Sequence, residues 1–226
     1  MTRVILVLVL TAFILSCEKR EVQLAESFLS DITVVRDVSP IYVFYDEHTG
    51  AAEFNRNNMI GTTNWLVNID KRLNMAQVYP HLQFLYKKRN GDGMHKNTAA
   101  RNYFSCSNPE LQNLTFLDFT NTVYHGGSIA EFLSGFEQDS TEIPVIVNFE
   151  TTDDILIIKG AKEHRAARKS WLDTLLTIIR SDEPTNRVYL NINGEMNFQD
   201  YIHMRSSVDT LTQDKVQISN HEFIYK

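Results

Sequence analysis

The sequence predicts an α+β protein of two small α/β sandwich domains, each with helices packed on one face of a mixed sheet in the order ββαβαβ. The first observation is size and composition: 226 residues, 43% hydrophobic and 22% charged, suit one globular domain or two small ones. The second is pattern, because β-branched and aromatic runs alternate with amphipathic stretches at helical spacing. The third is a strand-turn-helix pattern that occurs twice, 123 residues apart. The first half is less regular, so we expect its domain to be degenerate.

The charge balance and the cysteine count exclude two classes of protein. Lys and Arg number 22 against 28 Asp and Glu, which gives a formal net charge of -6. This argues against a nucleic-acid-binding protein, because phosphate contact needs a basic surface. Only Cys17 and Cys106 are present, which is too few for a disulfide scaffold.

The N-terminus has the pattern of a processing signal. Arg3 precedes an apolar run over residues 4–15, which is shorter than the roughly 20 residues that span a bilayer. The run ends in Ile14-Leu15-Ser16-Cys17, which resembles the bacterial lipobox. That resemblance implies a signal peptide over residues 1–16 and a lipid on Cys17. The mature chain is then held in the cell envelope, on the outer or inner membrane and facing the periplasm. An uncleaved N-terminal anchor helix is the alternative.

The elements of the first half follow a polar tether over residues 17–30. We expect strands at 32–35, 41–45 and 65–69, a helix over 74–88, a polar loop over 90–113, a strand at 114–119 and a helix over 128–136. The first domain is thus predicted over residues 31–137, and a charged linker over 138–142 follows it.

The second domain, residues 143–226, is more regular. Strands at 143–149 and 155–159 form a hairpin around the Asp153-Asp154 turn, and a helix follows over 169–180. A strand at 188–192, a helix capped by Asn197, and a last strand at 216–219 continued by 223–225 complete it.

The repeated pattern aligns residues 67–78 with residues 190–201. Asn68, Ile69 and Asn74 recur as Asn191, Ile192 and Asn197. In both copies a strand ends, a turn carries Asp70 or Asn193, an apolar residue follows, and Asn74 or Asn197 caps a helix. Chance similarity between two strand-turn-helix units is the alternative.

This unit resembles the periplasmic domain of the ExbD/TolR family of envelope energy transducers, most clearly over residues 143–226. The resemblance implies that Asp70, Asn74, Asn193 and Asn197 form the family's signature turns. Family members also carry a transmembrane helix with an Asp on the proton path. The apolar run over residues 4–15 has no acidic residue, so this chain would keep the periplasmic domain and replace the helix with a lipid.

The sequence has no motif of a known catalytic or metal site. Its seven His are scattered, and HExxH, GxSxG, P-loop and GxGxxG patterns are all missing. We therefore expect a non-catalytic protein without cofactor or metal. An envelope enzyme that uses Cys106 and His125 as nucleophile and base remains an alternative. Otherwise we expect Cys106 to be buried.

The resemblance indicates an accessory or scaffold of a proton-driven transport or envelope-tethering complex. Its partners would be the membrane, through the lipid, and an envelope protein, with a homodimer possible and no nucleic acid. We expect binding by strand addition at sheet edges that carry Val216, Ile218, Val145 and Val147. The alternative is a lipid-anchored protein that binds a small molecule or glycan through aromatic residues of the first half: Trp65, Tyr79, Phe84, Tyr86, Tyr103 and Phe104.

Overall fold

The computed structural model describes residues 20–29, 31–91, 97–135, 142–180, 186–211 and 217–226. The strands in these residues are β1 (Val38–Tyr45), β2 (Ala52–Asn55), β3 (Asn64–Ile69), β4 (Asn102–Asn108), β5 (Asn113–Asp118), β6 (Val123–Gly126), β7 (Ile143–Phe149), β8 (Ile155–Lys159), β9 (Lys162–Ala166), β10 (Asn186–Asn193) and β11 (Gln217–Tyr225). The helices are α1 (Met75–Asn90), α2 (Ile129–Gly135), α3 (Trp171–Arg180) and α4 (Phe198–Leu211). Two mixed sheets with helices packed against them confirm the predicted α+β class.

The two sheets share a common strand order. The first sheet runs β2-β1-β3-β4-β5, and the second runs β6-β11-β10-β7-β8-β9. In the first sheet, β2 is antiparallel to β1, and β3 and β4 run parallel to β1. In the second sheet, β8 is antiparallel to β7 in the same way, and β10 and β11 run parallel to β7. The helix between the last two of these strands is α1 in the first half and α4 in the second. The first half is degenerate as predicted, because residues 56–63 join β2 to β3 by turns where the second half has β9 and α3.

The two halves are joined by one continuous hydrophobic core. The buried side chains of β1, β3 and α1 belong to the same cluster as those of β7, β10, α3 and α4. Tyr201 on α4 shows the connection, because its ring meets Phe104 of the first sheet edge-on at 6.1 Å. The hydroxyl of Tyr201 donates a 2.8 Å hydrogen bond to Glu222 of the second sheet.

Strand β6 also crosses between the halves. It precedes the predicted linker in the chain, yet it pairs in parallel with β11, from Val123 opposite His221 to Gly126 opposite Ile224. The first half therefore supplies an edge strand to the second sheet.

Several element predictions were wrong. No strand forms at residues 32–35, where Val34 is 73% exposed and Ile32 accepts a main-chain hydrogen bond from Phe116 beside β5. The predicted loop over 90–113 contains β4, and β9 forms where no strand was expected. Helices also cover both faces of the second sheet: α2 packs through Ile129 against Tyr189 and Phe223, on the opposite face from α3 and α4.

Candidate functional site

The two repeated turns meet at the centre of the molecule. Asn74 and Asn197 form an isolated antiparallel bridge. The amide of Met75 donates to the Met196 carbonyl at 2.8 Å, and the amide of Phe198 donates to the Leu73 carbonyl at 2.7 Å. In the 123-residue repeat, Met75 corresponds to Phe198 and Leu73 corresponds to Met196. The two bonds are therefore equivalent, and the contact has local two-fold symmetry.

A second reciprocal pair surrounds the first. The amide of Ala76 donates to the Gly194 carbonyl at 2.8 Å, and the amide of Gln199 donates to the Lys71 carbonyl at 3.3 Å. We call residues 70–77 together with residues 193–200 the junction. Four main-chain hydrogen bonds thus link the two repeats, and the junction contains all four predicted signature residues.

The helix caps repeat in the same way. The amide of Gln77 donates to Oδ1 of Asn74 at 3.0 Å, and the amide of Asp200 donates to Oδ1 of Asn197 at 2.8 Å. In the first repeat, Gln77 also accepts from the Asn74 amide, which completes a capping box. The side chains of Asn74 and Asn197 therefore satisfy helix-end amides while their backbones bridge the repeats.

A segment near the N-terminus lies against the junction. We call residues 20–29 the strap. Its Gln23 carbonyl accepts from the Lys71 amide at 2.8 Å, and its Ala25 carbonyl accepts from the Ser107 amide at 2.9 Å. The amide of Glu26 donates to Oε1 of Gln199 at 2.8 Å. The strap therefore contacts both repeats within four residues of chain.

Asp70 holds the strap to the first repeat. Its carboxylate is fully buried and accepts from the Arg72 guanidinium at 2.8 and 2.9 Å, from the Arg72 amide at 3.1 Å and from the Gln23 amide at 3.2 Å. Burial acts to raise the pKa of Asp70, but these hydrogen bonds, with the attraction of Arg72, outweigh it and lower the pKa below its usual value. Asp70 therefore stays ionised at neutral pH, and Arg72 in turn stacks over the Tyr45 ring at 4.4 Å.

The second repeat uses Asn193 at the position of Asp70. Its Oδ1 accepts from the Glu195 amide at 2.9 Å, as Oδ1 of Asp70 accepts from the Arg72 amide. Its Nδ2 donates to the Glu150 carbonyl at 2.9 Å, so an amide suits this site as a carboxylate suits the other.

Beneath the junction lies a buried polar cluster. Glu222 is 2% exposed; it accepts from the Tyr201 hydroxyl at 2.8 Å and pairs with Arg205 at 3.2 Å. Tyr201 is also 3.0 Å from the Tyr124 hydroxyl. Burial raises the pKa of Glu222, although Arg205 and Tyr201 act to lower it. We interpret this cluster as a structural link between β6, α4 and β11, since hydrogen-bonded polar groups fix one arrangement of a core.

An apolar cleft opens beside the end of the strap. Its volume is about 770 Å³, in the range of small-molecule sites. The apolar side chains that line it are Phe28, Leu29, Phe149, Ile155, Trp171, Met196 and Met204. Arg168 and Asp200 line the same cleft and form an ion pair at 3.5 Å, and Phe28 is 56% exposed.

The comparisons assign no family. No model of a known protein family matches the chain, and neither a curated protein nor a solved structure matches it.

The structure places the remaining candidate residues as follows. Val145 and Val147 are fully buried in β7, which is hydrogen-bonded to β8 on one side and β10 on the other. The expected strand addition at these residues is therefore wrong, because β7 has no unpaired edge. Ile218 is half-buried in β11, which lies between β10 and β6 and is therefore not an edge strand, contrary to the expectation; Val216 and Cys17 lie outside the described residues. The described edge strands are β2, β5, β6 and β9.

The alternative site residues are also located. Cys106 is fully buried, and burial raises the pKa of its thiol to about 12, which does not suit a nucleophile. His125 lies 2.7 Å from His221 and stacks on Phe223. Of the six aromatic residues expected to bind a ligand, Trp65 and Phe104 belong to the filled core, whereas Tyr79 lines a cleft beside Gly126, Gly127 and Tyr225.

Two further findings concern only the described part of the chain. Within it, no group of three or more His, Cys, Asp or Glu residues is placed to hold a metal ion. Within the same residues, no helix is both long and apolar enough to cross a bilayer.

The strap was not predicted from the sequence, because the pattern of polar and apolar residues in it is a weak structural signal. Residues 20–29 mix polar and apolar side chains without the alternation typical of a strand, and Val22 is their one β-branched residue. Its single fully buried apolar side chain is Ala25, which carries little hydrophobic signal.

Proposed function

We propose that the chain is a non-catalytic lipoprotein of the cell envelope, an accessory or scaffold of an ExbD/TolR-type proton-driven transport or envelope-tethering complex. The observation that carries this proposal is the junction, where two copies of the signature turn bond to each other and to the strap. A duplicated domain of this kind offers two related binding surfaces in a fixed arrangement.

The position of the strap suits a membrane-tethered adaptor. Only two residues of chain, Glu18 and Lys19, separate Cys17 from the start of the strap at Arg20. A lipid on Cys17 would be joined through the strap to Asp70, Lys71 and Gln199 at the centre of the molecule. Holding the protein at the membrane raises its effective concentration toward any partner in that membrane.

Lipidation is tested by metabolic labelling with radioactive palmitate in a bacterial host. We expect label in the full-length chain and none in Cys17→Ala. Equal labelling of both chains would contradict a lipid anchor on Cys17.

Partner binding is tested by purification from envelope membranes in mild detergent after brief crosslinking. We expect recovery of motor or receptor components of a proton-driven complex with the wild-type chain. Glu21→Gln changes an exposed strap residue and serves as the control, which should recover the same partners as the wild-type chain. Recovery of the lipoprotein alone from both chains would count against the adaptor function.

The cleft favours a second candidate function, the binding of a small apolar molecule by the anchored protein. Both Trp are buried, Trp171 to 3% exposed and Trp65 to 1%, but Trp171 lines the cleft and Trp65 does not, so a ligand should change mainly the fluorescence of Trp171. Phe28→Glu places a charge on the cleft wall at an exposed side chain and should weaken or abolish that change without burying a charge in the core. Native mass spectrometry that finds no bound small molecule, with no fluorescence response to apolar ligands, would eliminate this candidate.

A further inference from the structure

In the first sheet, the strap accepts a main-chain hydrogen bond whose counterpart in the second sheet is accepted by strand β11. Strands β10 and β11 pair up to Asn193 opposite Tyr225, and the Gly194 amide then donates to the Tyr225 carbonyl at 2.7 Å. Lys71 is the residue of the first repeat that corresponds to Gly194. Its amide donates instead to the strap carbonyl of Gln23 at 2.8 Å.

The pairing of the neighbouring strands differs accordingly. Register between β3 and β4 runs from Trp65 opposite Asn102 to Val67 opposite Phe104. Val67 lies opposite Phe104, and its counterpart Leu190 lies opposite Glu222, so Phe104 on β4 corresponds to Glu222 on β11. Three residues further along each strand, Ser107 corresponds to Tyr225. The main chain of Ser107 bonds to the strap, since its amide donates to Ala25 at 2.9 Å and its carbonyl accepts from Ser27 at 3.0 Å. We call this place, between Lys71 and Ser107, the slot.

The strap occupies the slot through bonds that most extended peptides could make. Six of its hydrogen bonds there use its own main-chain groups, including the amides of Gln23 and Glu26, which donate to Asp70 and Gln199, and the Glu26 carbonyl, which accepts from Gln199. Main-chain bonding of this kind does not depend on sequence, as in strand addition to sheets. Specificity comes from Ala25 and Ser27, whose side chains are buried, so the occupant needs small residues at these two positions; the Ser27 hydroxyl also lies 3.1 Å from that of Ser206.

Release of residues 23–27 removes little apolar burial. Among them Ala25 is the one fully buried apolar side chain, Leu24 is half-buried and Gln23 is exposed, whereas Leu29, which packs against the core, lies outside the exchanged residues. Segments with few buried apolar contacts are those that open at low free-energy cost. The strap is therefore suited to leave the slot without unfolding the core.

We propose that the slot is a strand-exchange site, in which an extended segment of a partner protein, with a small residue at its centre, replaces residues 23–27 of the strap. This inference rests on the proposed partner-binding function and names the surface and the type of partner. Competition for the slot would couple partner binding to the position of the lipid-anchored tether, because the same segment leads to Cys17.

The test uses the full chain and a synthetic peptide with the sequence of residues 20–29, labelled with a fluorophore. The protein variant is Gln23→Pro, which removes the amide that donates to Asp70 and weakens the resident strap while the slot is unchanged. By fluorescence anisotropy, we expect the peptide to bind this variant at least about tenfold more tightly than it binds the wild-type chain, given the strength of a hydrogen bond to a carboxylate. Hydrogen exchange should show that the peptide protects the amides of Lys71 and Ser107.

The controls lie in the peptide and in a second variant. A peptide with Ala25→Trp should not bind, because the position is fully buried. If Gln23→Pro fails to fold, Glu26→Pro replaces it, since the Glu26 amide donates only to the side chain of Gln199 among the bonds described above. Equal binding of the two peptides, equal affinity for wild-type and variant chains, or unchanged exchange at Lys71 and Ser107 would overturn the proposal.

The failures of the two proposals are distinguishable. If the peptide does not bind but envelope purification recovers a partner, the slot is not the binding surface and the adaptor function stands. If the peptide binds as expected and no partner is recovered, the slot stands as a strand-binding site and the adaptor function falls.

Discussion

Replacement of Asp70 by Asn should destabilise the protein more than its small size change suggests. The carboxylate accepts four hydrogen bonds, two from the Arg72 guanidinium and one each from the amides of Arg72 and Gln23. In Asp70→Asn one of the oxygens becomes an NH2 group that faces donors, and the negative charge is lost. Bonds to a charged group are worth about 1.5–3 kcal/mol each. Because Arg72 is partly exposed and keeps Glu47 as a partner, we expect a total loss of about 2–3 kcal/mol.

The assay is urea unfolding followed by circular dichroism, with the reciprocal variant Asn193→Asp as the control. At residue 193 the carboxylate would face the Glu150 carbonyl, to which Nδ2 now donates, so this variant should lose about 1–3 kcal/mol. Both variants, Asp70→Asn and Asn193→Asp, should thus lower the free energy of unfolding, because each residue suits only its own repeat. A loss below about 0.5 kcal/mol for Asp70→Asn would refute the assignment of Asp70 as the residue that holds the strap.

The pH dependence gives an independent check on Asp70. Its pKa in the folded protein is lower than its usual value, about 3.9 in an unfolded chain. Its contribution to the free energy of unfolding is therefore complete above that value and is lost as the pH falls through the folded-state pKa. The difference between the wild-type chain and Asp70→Asn should shrink below pH 4, and a constant difference down to pH 3 would contradict this.

Three more variants or labelling tests follow from the junction and the core. Asn74→Ala and Asn197→Ala should each cost about 1 kcal/mol as helix caps, and their combination should be non-additive in urea unfolding because the two residues bridge each other. Glu222→Ala should cost about 3–5 kcal/mol because it leaves Arg205 buried without that carboxylate, whereas Glu222→Gln should cost less; equal losses would show that the charge is unimportant. Cys106 should resist a thiol reagent at pH 8 until the protein is unfolded in urea, since its thiol is buried and its pKa is raised; rapid labelling of the native protein would contradict the buried position.

The sequence predicts the fold class well because the main strands and helices carry strong periodic signals. β1, β3, β7 and β10 alternate or run apolar, and α3 and α4 show helical spacing of apolar residues. Strand β4 was missed because Asn102, Ser105 and Asn108 are buried polar residues that interrupt its apolar pattern. Strand β9 was missed because its five residues are charged or polar apart from Ala166, which is typical of a protected edge.

The candidate site was predictable only in part. The repeat identified Asp70, Asn74, Asn193 and Asn197, but a spacing along the chain does not say that the two turns bond to each other. The edges expected to bind a partner were wrong for Val145 and Val147, because a run of β-branched residues is typical of both edge and central strands, and only the sheet order separates them. The strap depends on main-chain bonds, which leave little trace in the identity of its residues.

The reciprocal bonds of the junction have a consequence for how the two copies depend on each other. Two separate chains with one repeat each could make the same four bonds only at sufficient concentration, as in any two-fold dimer. Linking the copies in one polypeptide removes that dependence on concentration and also frees each copy to change alone. Lys71 and Gly194 show the result: an added side chain at Gly194 would lie 3.0 Å from the Tyr225 carbonyl, whereas Lys71 carries its side chain beside the strap. Descent from a symmetric pair would account for a molecule in which one half is closed by its own last strand and the other by the strap, residues 20–29.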